Sequence, residues 1–435
     1  MTSIEIGLAG LAILFLLIAA RVPIGISLIA VSFGGLWALA GPDVALALLG
    51  STPYNFSASW SLSSVPMFLL MGFFCFHAGL TMSLFNAARI WFSRVPGALA
   101  VASVVGASGF AAVSGSSVAT AAAMGKIAVP EMLRWRYDPS LATGTVAAAG
   151  TIGALIPPSI IMILFGVFAE VPVSRLFMGG IVVGLMTGLS YVAVIVIRVL
   201  LNPALAPSLP ERPSMGEKMA ALRSTWPILL IMFCVFGGMF GGLFSATEAG
   251  AVGAFLSAIV AAMYGKLTWK NLKSSLYETI VTTSALFIIA IGASLLTRFL
   301  AISGAGAFLS DMLVYAGSDP IVLMLIITVI YLLLGMFLEP LGAMLLTLPV
   351  ILPAVEAGHL DLIWFGVLLV KYLEVGMITP PIGMNVFIIK GVVGDTVKTW
   401  DIFRGVAWFL VADVVVISLL ILFPDIVLFL PNLMK

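Results

Sequence analysis

The chain has 435 residues, of which 62% are hydrophobic and 9% charged, where an ordinary soluble domain carries about 25% charged residues. Water is therefore not its main solvent, and a formal net charge of +1 leaves no field to attract nucleic acid or steer an acidic partner. Cys75 and Cys234 stand singly inside apolar runs and read as small hydrophobes, not as a disulfide or a metal pair.

The first apolar run, Ile6 to Ala20, has no basic region before it and no small-residue cleavage site after it, so it reads as a retained span and not a signal peptide. Later runs such as Phe177 to Ile197 and Val406 to Phe423 are long enough to cross a hydrocarbon core of roughly 30 Å as helices. None alternates with the period of two that a barrel strand needs, and only helices and barrels satisfy their backbone in lipid. The expected class is an all-α polytopic membrane protein surrounded by lipid.

In chain order, Arg21 closes the first span, an apolar run reaches Ala40, a polar stretch covers Gly41 to Ser64, and a further span extends to about Thr81. Residues 1–84 are thus read as N-terminal scaffold and arm helices. Asn202 to Thr225, with Pro203, Pro207, Pro210, Pro213, Arg212, Lys218 and Arg223, is the one long polar linker and divides two similar halves. Between Gly237 and Glu248, two overlapping small-residue pairs and a Thr cap predict close helix packing and a turn.

An offset of 223 residues separates Pro130 from Pro353, Asp138 from Asp361, Gly153 from Gly376, Pro157 from Pro380 and Pro158 from Pro381. Five coincidences in one ungapped register mark an internal duplication. The copies differ in charge. Residues 85–140 hold Arg89, Arg94, Lys126, Arg134 and Arg136 against only Glu131 and Asp138, whereas residues 308–363 hold Asp311, Asp319, Glu339, Glu356 and Asp361 with no Lys or Arg. Since Lys and Arg mark the cytoplasmic side, the repeat is expected to be inverted, with Lys126 and Arg136 cytoplasmic and Glu356 and Asp361 periplasmic. With the N-terminus outside, every basic cluster falls inside only if two windows enter and leave on one side. Those windows, about 97–135 and 320–355, are the predicted re-entrant hairpins. The first repeat then covers 85–201 with a broken helix at about 139–168, and 226–307 supply second scaffold and arm helices. The second repeat covers 308–435, with a broken helix at about 361–390 and a C-terminal span.

The first hairpin is predicted to turn at Ser114-Gly115-Ser116-Ser117, where Gly and Ser leave backbone groups free and hydroxyl oxygens suit a hard cation. The second should turn across Gly335 to Pro340. In GALIPP (Gly153 to Pro158) and GMITPP (Gly376 to Pro381), adjacent prolines remove two donors and clash with the preceding turn, so each helix must break. Broken helices at matching repeat positions point to a midplane transport site, with helix N-termini for an anion and unwound carbonyls for a cation. Glu339 and Glu374 either face a cavity or pair with Lys371 or Arg298. His77 and His359 lie in different halves and read as buried or interfacial rings. No G-x-x-x-x-G-K-[ST], H-E-x-x-H, C-x-x-C or G-x-S-x-G occurs, so neither nucleotide hydrolysis nor another enzymatic activity is expected, and no haem or transition metal.

AVSGSSVATAAAMGKIAVPEM (Ala112 to Met132), YDPSLATGTVAAAGTIGALIPPSI (Tyr137 to Ile160), GGLFSATEAGAV (Gly241 to Val252), LGMFLEP (Leu334 to Pro340) and VGMITPPIGMNVF (Val375 to Phe387) resemble, in order along the chain, the large membrane subunit of tripartite ATP-independent periplasmic (TRAP) transporters. The resemblance implies a DctM-like permease of the bacterial inner membrane, of elevator-type, ion-transporter-like architecture, driven by Na⁺. Implied partners are a small four-helix membrane subunit, a soluble periplasmic substrate-binding protein and a small organic acid such as a dicarboxylate or sialic acid. Many members have Asp where this chain has Thr120, and the role of that carboxylate does not carry over. One expected Na⁺ site combines Ser114 and Gly115 with Gly150, Thr151 and Gly153; the other combines Gly335 and Glu339 with Gly376 and Thr379, both mostly through backbone carbonyls. The substrate is expected near Ser116, Ser117, Pro158, Ser159, Pro381 and Asn385. The alternatives are an elevator that works without a binding protein and, more remotely, a channel; outside transport the alternative is an intramembrane enzyme.

Overall fold

The computed structural model describes residues 2–207, 213–317 and 319–433; among the described residues it is helical throughout, with no strand. Pro210 and Arg212 of the linker lie outside the described residues. Three helices lead in, α1 (Ser3–Ala19), α2 (Ile24–Ala40) and α3 (Pro42–Ser57). They are followed by α4 (Ser64–His77), α5 (Leu80–Trp91), α6 (Ala98–Ser114), α7 (Ser117–Arg134), α8 (Pro139–Gly150), α9 (Ile160–Phe168) and α10 (Val173–Leu201). The connecting helices are α11 (Met215–Ser224), α12 (Trp226–Phe240) and α13 (Ala246–Met263). The second half holds α14 (Trp269–Ser303), α15 (Ala305–Ala316), α16 (Pro320–Phe337), α17 (Pro340–Ala357), α18 (Leu362–Gly376), α19 (Met384–Val393), α20 (Thr399–Leu422) and the short α21 (Asp425–Leu428).

Seven stretches among the described residues are long and apolar enough to cross a membrane: Trp60–His77, α10, α13, α14, α16, α17 and α20. An eighth is added if α11 and α12, which meet at 53°, are one span. Two segments read as polar stretches contain helices. In the first, Pro42 opens α3 and Asp43 lies in its first turn, the arrangement that favours a helix start because proline's missing N–H is unneeded there and an acidic side chain suits the positive helix end. In the linker, Ser214 and Glu217 form a capping box that starts α11, which packs on α5 with the Trp91 indole donating to the Lys218 carbonyl at 2.9 Å. The cap before α13 is Ser245, not Thr247: its hydroxyl and Glu248 make the reciprocal box.

Local chemistry sets the ends that matter for the site. Asp138 caps α8 by accepting from Ser140 N and Leu141 N, and Asp361 caps α18 by accepting from Ile363 N and Trp364 N. After α8 the chain tightens into a 3-10 turn, Thr151–Ala154, and resumes as α9 only at Ile160; α18 stops at Gly376 and α19 begins at Met384. Both Pro-Pro bonds in these gaps, 157-158 and 380-381, are cis. Two apolar cores flank the breaks: one gathers α9, α14, α17 and α18, the other α6, α7, α8 and α20.

Candidate functional site

Helices α6 and α7 form a hairpin whose turn is Gly115-Ser116. Gly115 takes a positive φ of 62°, and a Cβ there would lie 2.3 Å from the Pro158 carbonyl oxygen, so both the turn and the close approach require glycine. Ser116 caps α7 through Ala119 N at 3.3 Å. Ser114 Oγ lies 3.1 Å from Thr120 Oγ1, which in turn donates to the Ser116 carbonyl at 2.8 Å. The equivalent hairpin, α16 with α17, turns at Leu338-Glu339, and Glu339 caps α17 by accepting from Gly342 N at 3.1 Å.

Each turn abuts a helix break. A Cβ on Gly153 would fall 2.7 Å from both the Ser116 carbonyl oxygen and Thr120 Oγ1. Across the molecule Gly376 meets Gly335, backbone to backbone, with a Cβ on Gly376 only 2.6 Å from the Gly335 Cα. The structure therefore brings Ser114 to Ser117 together with Gly153 and Pro158, and Gly335 together with Gly376.

A cavity of about 430 Å³ lies between these regions. Its wall includes Ser114, Gly115, Ser116 and Ser117 from the first hairpin, Glu339 from the second, and Ala154, Glu374 and Met377 from the breaks. Helices α4 and α14 close the opposite side, where Glu278 Oε1 lies 3.3 Å from His77 Nε2 and accepts from it in the tautomer that carries the proton there. Lys126, exposed, stands at the rim. Glu374 is completely buried; Ser117 Oγ donates to its Oε2 at 2.5 Å, and its Oε1 has no hydrogen-bond partner.

The remaining expected site residues line no part of this cavity. Ser159 is buried as the cap of α9, accepting from Met162 N at 3.3 Å. Pro158 lies behind the first turn. Gly150 packs on Ala121 and on the Asn385 amide, whose Nδ2 donates to the Ala147 carbonyl at 3.3 Å and whose Oδ1 is buried without a partner. Thr379 donates to the Val375 carbonyl at 2.7 Å, and Pro381 is exposed. Thr151 points toward α10: its hydroxyl donates to the Ala148 carbonyl at 2.7 Å and lies 3.2 Å from Tyr191 Oη.

Tyr191 leads to a buried cluster that the sequence reading does not contain. Its hydroxyl lies 2.9 Å from both oxygens of Asp413, Lys371 Nζ lies 2.6 Å from Asp413 Oδ1, and Lys371 also donates to Thr187 Oγ1 at 3.1 Å. Lys371 and Asp413 are both fully buried. Asp413, not Glu374, is thus the partner of Lys371. The available signal was Asp413 itself, a lone carboxylate within the apolar run Val406 to Phe423, since charges inside spans are costly and persist where they have a partner or a task.

A multi-pass helical protein with two capped hairpin turns against two broken helices, all meeting at one cavity, has the form of a membrane transport protein. Residues 11–426 match the family described as "Tripartite ATP-independent periplasmic transporter, DctM component", and the chain belongs to that family. It is 33% identical to the C4-dicarboxylate TRAP transporter large permease protein DctM of Vibrio cholerae, over 88% of this chain and 89% of that one. To the sialic acid TRAP transporter large permease protein SiaM of the same species it is 31% identical over 96% of each. Among solved structures the YdaH transporter of Alcanivorax borkumensis shares the fold, with a TM-score of 0.61 over 90% of each chain at 15% identity. Permeases of this family reside in the bacterial inner membrane.

Proposed function

We propose that this chain is the large permease subunit of a Na⁺-coupled uptake system for a small organic acid anion, delivered by a periplasmic binding protein and requiring a small membrane subunit. The observation that carries the reading is the convergence of both hairpin turns and both breaks on one cavity, where the turns and breaks present oxygens from Ser114, Ser116, Ser117, Glu339 and Glu374 and Lys126 stands at the rim. Oxygen donors suit a hard cation, and carbonyls freed at proline-enforced breaks add more of them. The two Na⁺ sites are placed where each turn meets its break, around Ser116 and Gly153 and around Gly335 and Gly376. The C4-dicarboxylate and sialic acid relatives make a carboxylate-bearing substrate the class proposed here.

The arginine-rich base of the first hairpin and the acidic base of the second set the orientation of the inverted repeat, with Lys126 cytoplasmic. Exposed residues of the cavity wall, Lys126, Val118 and Phe76, lie on α7 and α4, whereas Leu341, Glu374 and Met377 form a buried floor. With Lys126 inside, the mouth faces the cytoplasm, so this conformation is the inward-facing one of an elevator. The test is uptake into proteoliposomes. The complex of this chain, its small subunit and its binding protein should accumulate substrate only with an inward Na⁺ gradient, and the chain alone should not. Robust uptake by the chain alone would favour an elevator that needs no binding protein; flux that neither saturates nor follows Na⁺ would indicate a channel.

A further inference from the structure

We infer that Glu374 and Ser117 form a cation site that bridges the two halves, separate from the two sites built on backbone carbonyls; the inference rests on the Na⁺-coupled reading above. Glu374 belongs to the last turn of α18 in the second half, while Ser117 opens α7 in the first, so their 2.5 Å bond joins one half's break to the other half's hairpin turn. The carboxylate is completely buried and lines the cavity, and one of its oxygens has no partner. A buried carboxylate with a single neutral donor is strongly disfavoured as the bare anion, unless a proton or a positive charge neutralises it.

Among the described residues, no cation of the protein does so. The ammonium one turn earlier on the same helix, Lys371, is held by Asp413 at 2.6 Å and Thr187 at 3.1 Å. Lys126 is exposed at the rim, and the other charged groups on the wall, Glu339 and Glu278, are carboxylates, the latter engaged by His77. The cavity floor therefore carries uncompensated negative charge where an organic anion has to bind. The ligand that reconciles these facts is a small hard cation. Glu374 Oε1 and Oε2 with Ser117 Oγ supply three oxygens, the hydroxyl keeping lone pairs free while its proton serves the carboxylate. No thiol or imidazole lines the cavity, and its sulfur is the neutral thioether of Met377, a poor ligand for a hard cation, so the oxygens of this corner decide which ion fits. Na⁺ at this position neutralises Glu374, ties the Ser117 turn to α18, and must enter before the anion does.

The experiment measures thermal unfolding of the purified chain in detergent against NaCl, with KCl and choline chloride at equal ionic strength. The parent should gain stability saturably with Na⁺ and not with K⁺. Glu374→Gln should keep the salt-free midpoint or raise it, since a buried charge is removed. Its half-saturating Na⁺ concentration should rise about tenfold, the factor expected when a charged ligand contact is lost. Ser117→Ala, which keeps the carboxylate, should move it in the same direction by less, and it carries the test if Glu374→Gln does not fold. Half-saturation within about twofold of the parent in both variants overturns the inference and leaves the Na⁺-coupled reading intact. Equal stabilisation of the parent by K⁺ and Na⁺, or by neither, removes the Na⁺-coupled reading and this site with it.

Discussion

Displaced by 223 residues, α7 of the first half, Ser117–Arg134, takes the bounds of α17 in the second, Pro340–Ala357. The same displacement takes the Asp138 cap to Asp361, the positive-φ residue Arg136 to His359, and the Ser116 cap to Glu339. The backbone frame is shared; what the side chains put inside it is not. Thr151, a neutral hydroxyl turned toward Tyr191, stands where the second half has Glu374, a carboxylate bonded to Ser117. Ala148 stands where the second half has Lys371. The first break is wholly buried, while Pro380 and Pro381 in the second are exposed. The first half thus contributes small neutral residues that let helices approach closely, and the second contributes the carboxylates of the cavity wall. Neither half holds a complete polar site: the cavity wall, the Glu374–Ser117 bond and the contact of Asn385 with Ala147 all draw on both.

The largest way to break this comparison is through the fully buried Lys371–Asp413 ion pair, both of whose members come from the second half. Removing either partner of the Lys371–Asp413 pair leaves an uncompensated charge inside the protein and should cost about 3–5 kcal/mol. Lys371→Ala or Asp413→Ala alone should sharply lower the unfolding midpoint in detergent and the yield of monodisperse protein. The double variant Lys371→Met with Asp413→Leu should recover most of the loss, because two apolar side chains of similar size leave no orphan charge. A double variant as unstable as the singles would mean that the cluster does more than neutralise itself.

A medium effect should separate the two turn-to-break contacts. A valine at Gly376 drives its Cβ into the Gly335 backbone, at 2.6 Å from Cα and 2.7 Å from the carbonyl carbon. At Gly153 one of the two atoms met at 2.7 Å is the Thr120 hydroxyl, a side-chain atom that rotates away. Overpacking costs about 1–3 kcal/mol; Gly376→Val is expected at the upper end and Gly153→Val at the lower, read as unfolding midpoints. Both variants should also weaken the Na⁺ dependence of uptake, since the carbonyls at each break are crowded. Unchanged Na⁺ dependence in both would displace the two carbonyl sites from these contacts.

Class and helix breaks were legible because they follow from local chemistry. Apolar runs with few charges admit only helices in lipid, and Pro157-Pro158 and Pro380-Pro381 cannot continue a helix wherever they occur. Ser116 and Glu339 were placed at turns by the Gly and Ser of one segment and the Glu-Pro of the other, and both turned out to be caps. Helix α3 escaped because its second half, with Ser51, Thr52, Asn55 and Ser57, is as polar as a loop, while its start is fixed by Pro42 and Asp43. Pairings across the molecule were illegible for a different reason. Lys371 and Asp413 lie 42 residues apart, His77 and Glu278 201, and Ser117 and Glu374 257. No local pattern selects one partner over another at such separations; packing does.

The smallest test asks whether the shared frame is equally strong in both halves. Asp138 and Asp361 occupy equivalent positions and each satisfies two of the backbone N–H groups left free at the start of a helix. Replacing an N-cap Asp by Ala costs about 1 kcal/mol, so Asp138→Ala and Asp361→Ala should each lower the unfolding midpoint slightly and by similar amounts. Asp138 has additional support: Ser140 Oγ donates to it at 2.5 Å, and its own backbone N–H donates to the Leu205 carbonyl at 2.8 Å. The backbone bond survives the substitution, whereas the hydroxyl loses its acceptor, so the loss at Asp138 should exceed that at Asp361 by a few tenths of a kcal/mol if Ser140 finds no replacement. The double substitution should then be additive, because the caps start different helices and share no partner. A coupled loss, larger than the sum, would show that the two broken helices hold each other in place, and the frame would have to be treated as one unit instead of two copies.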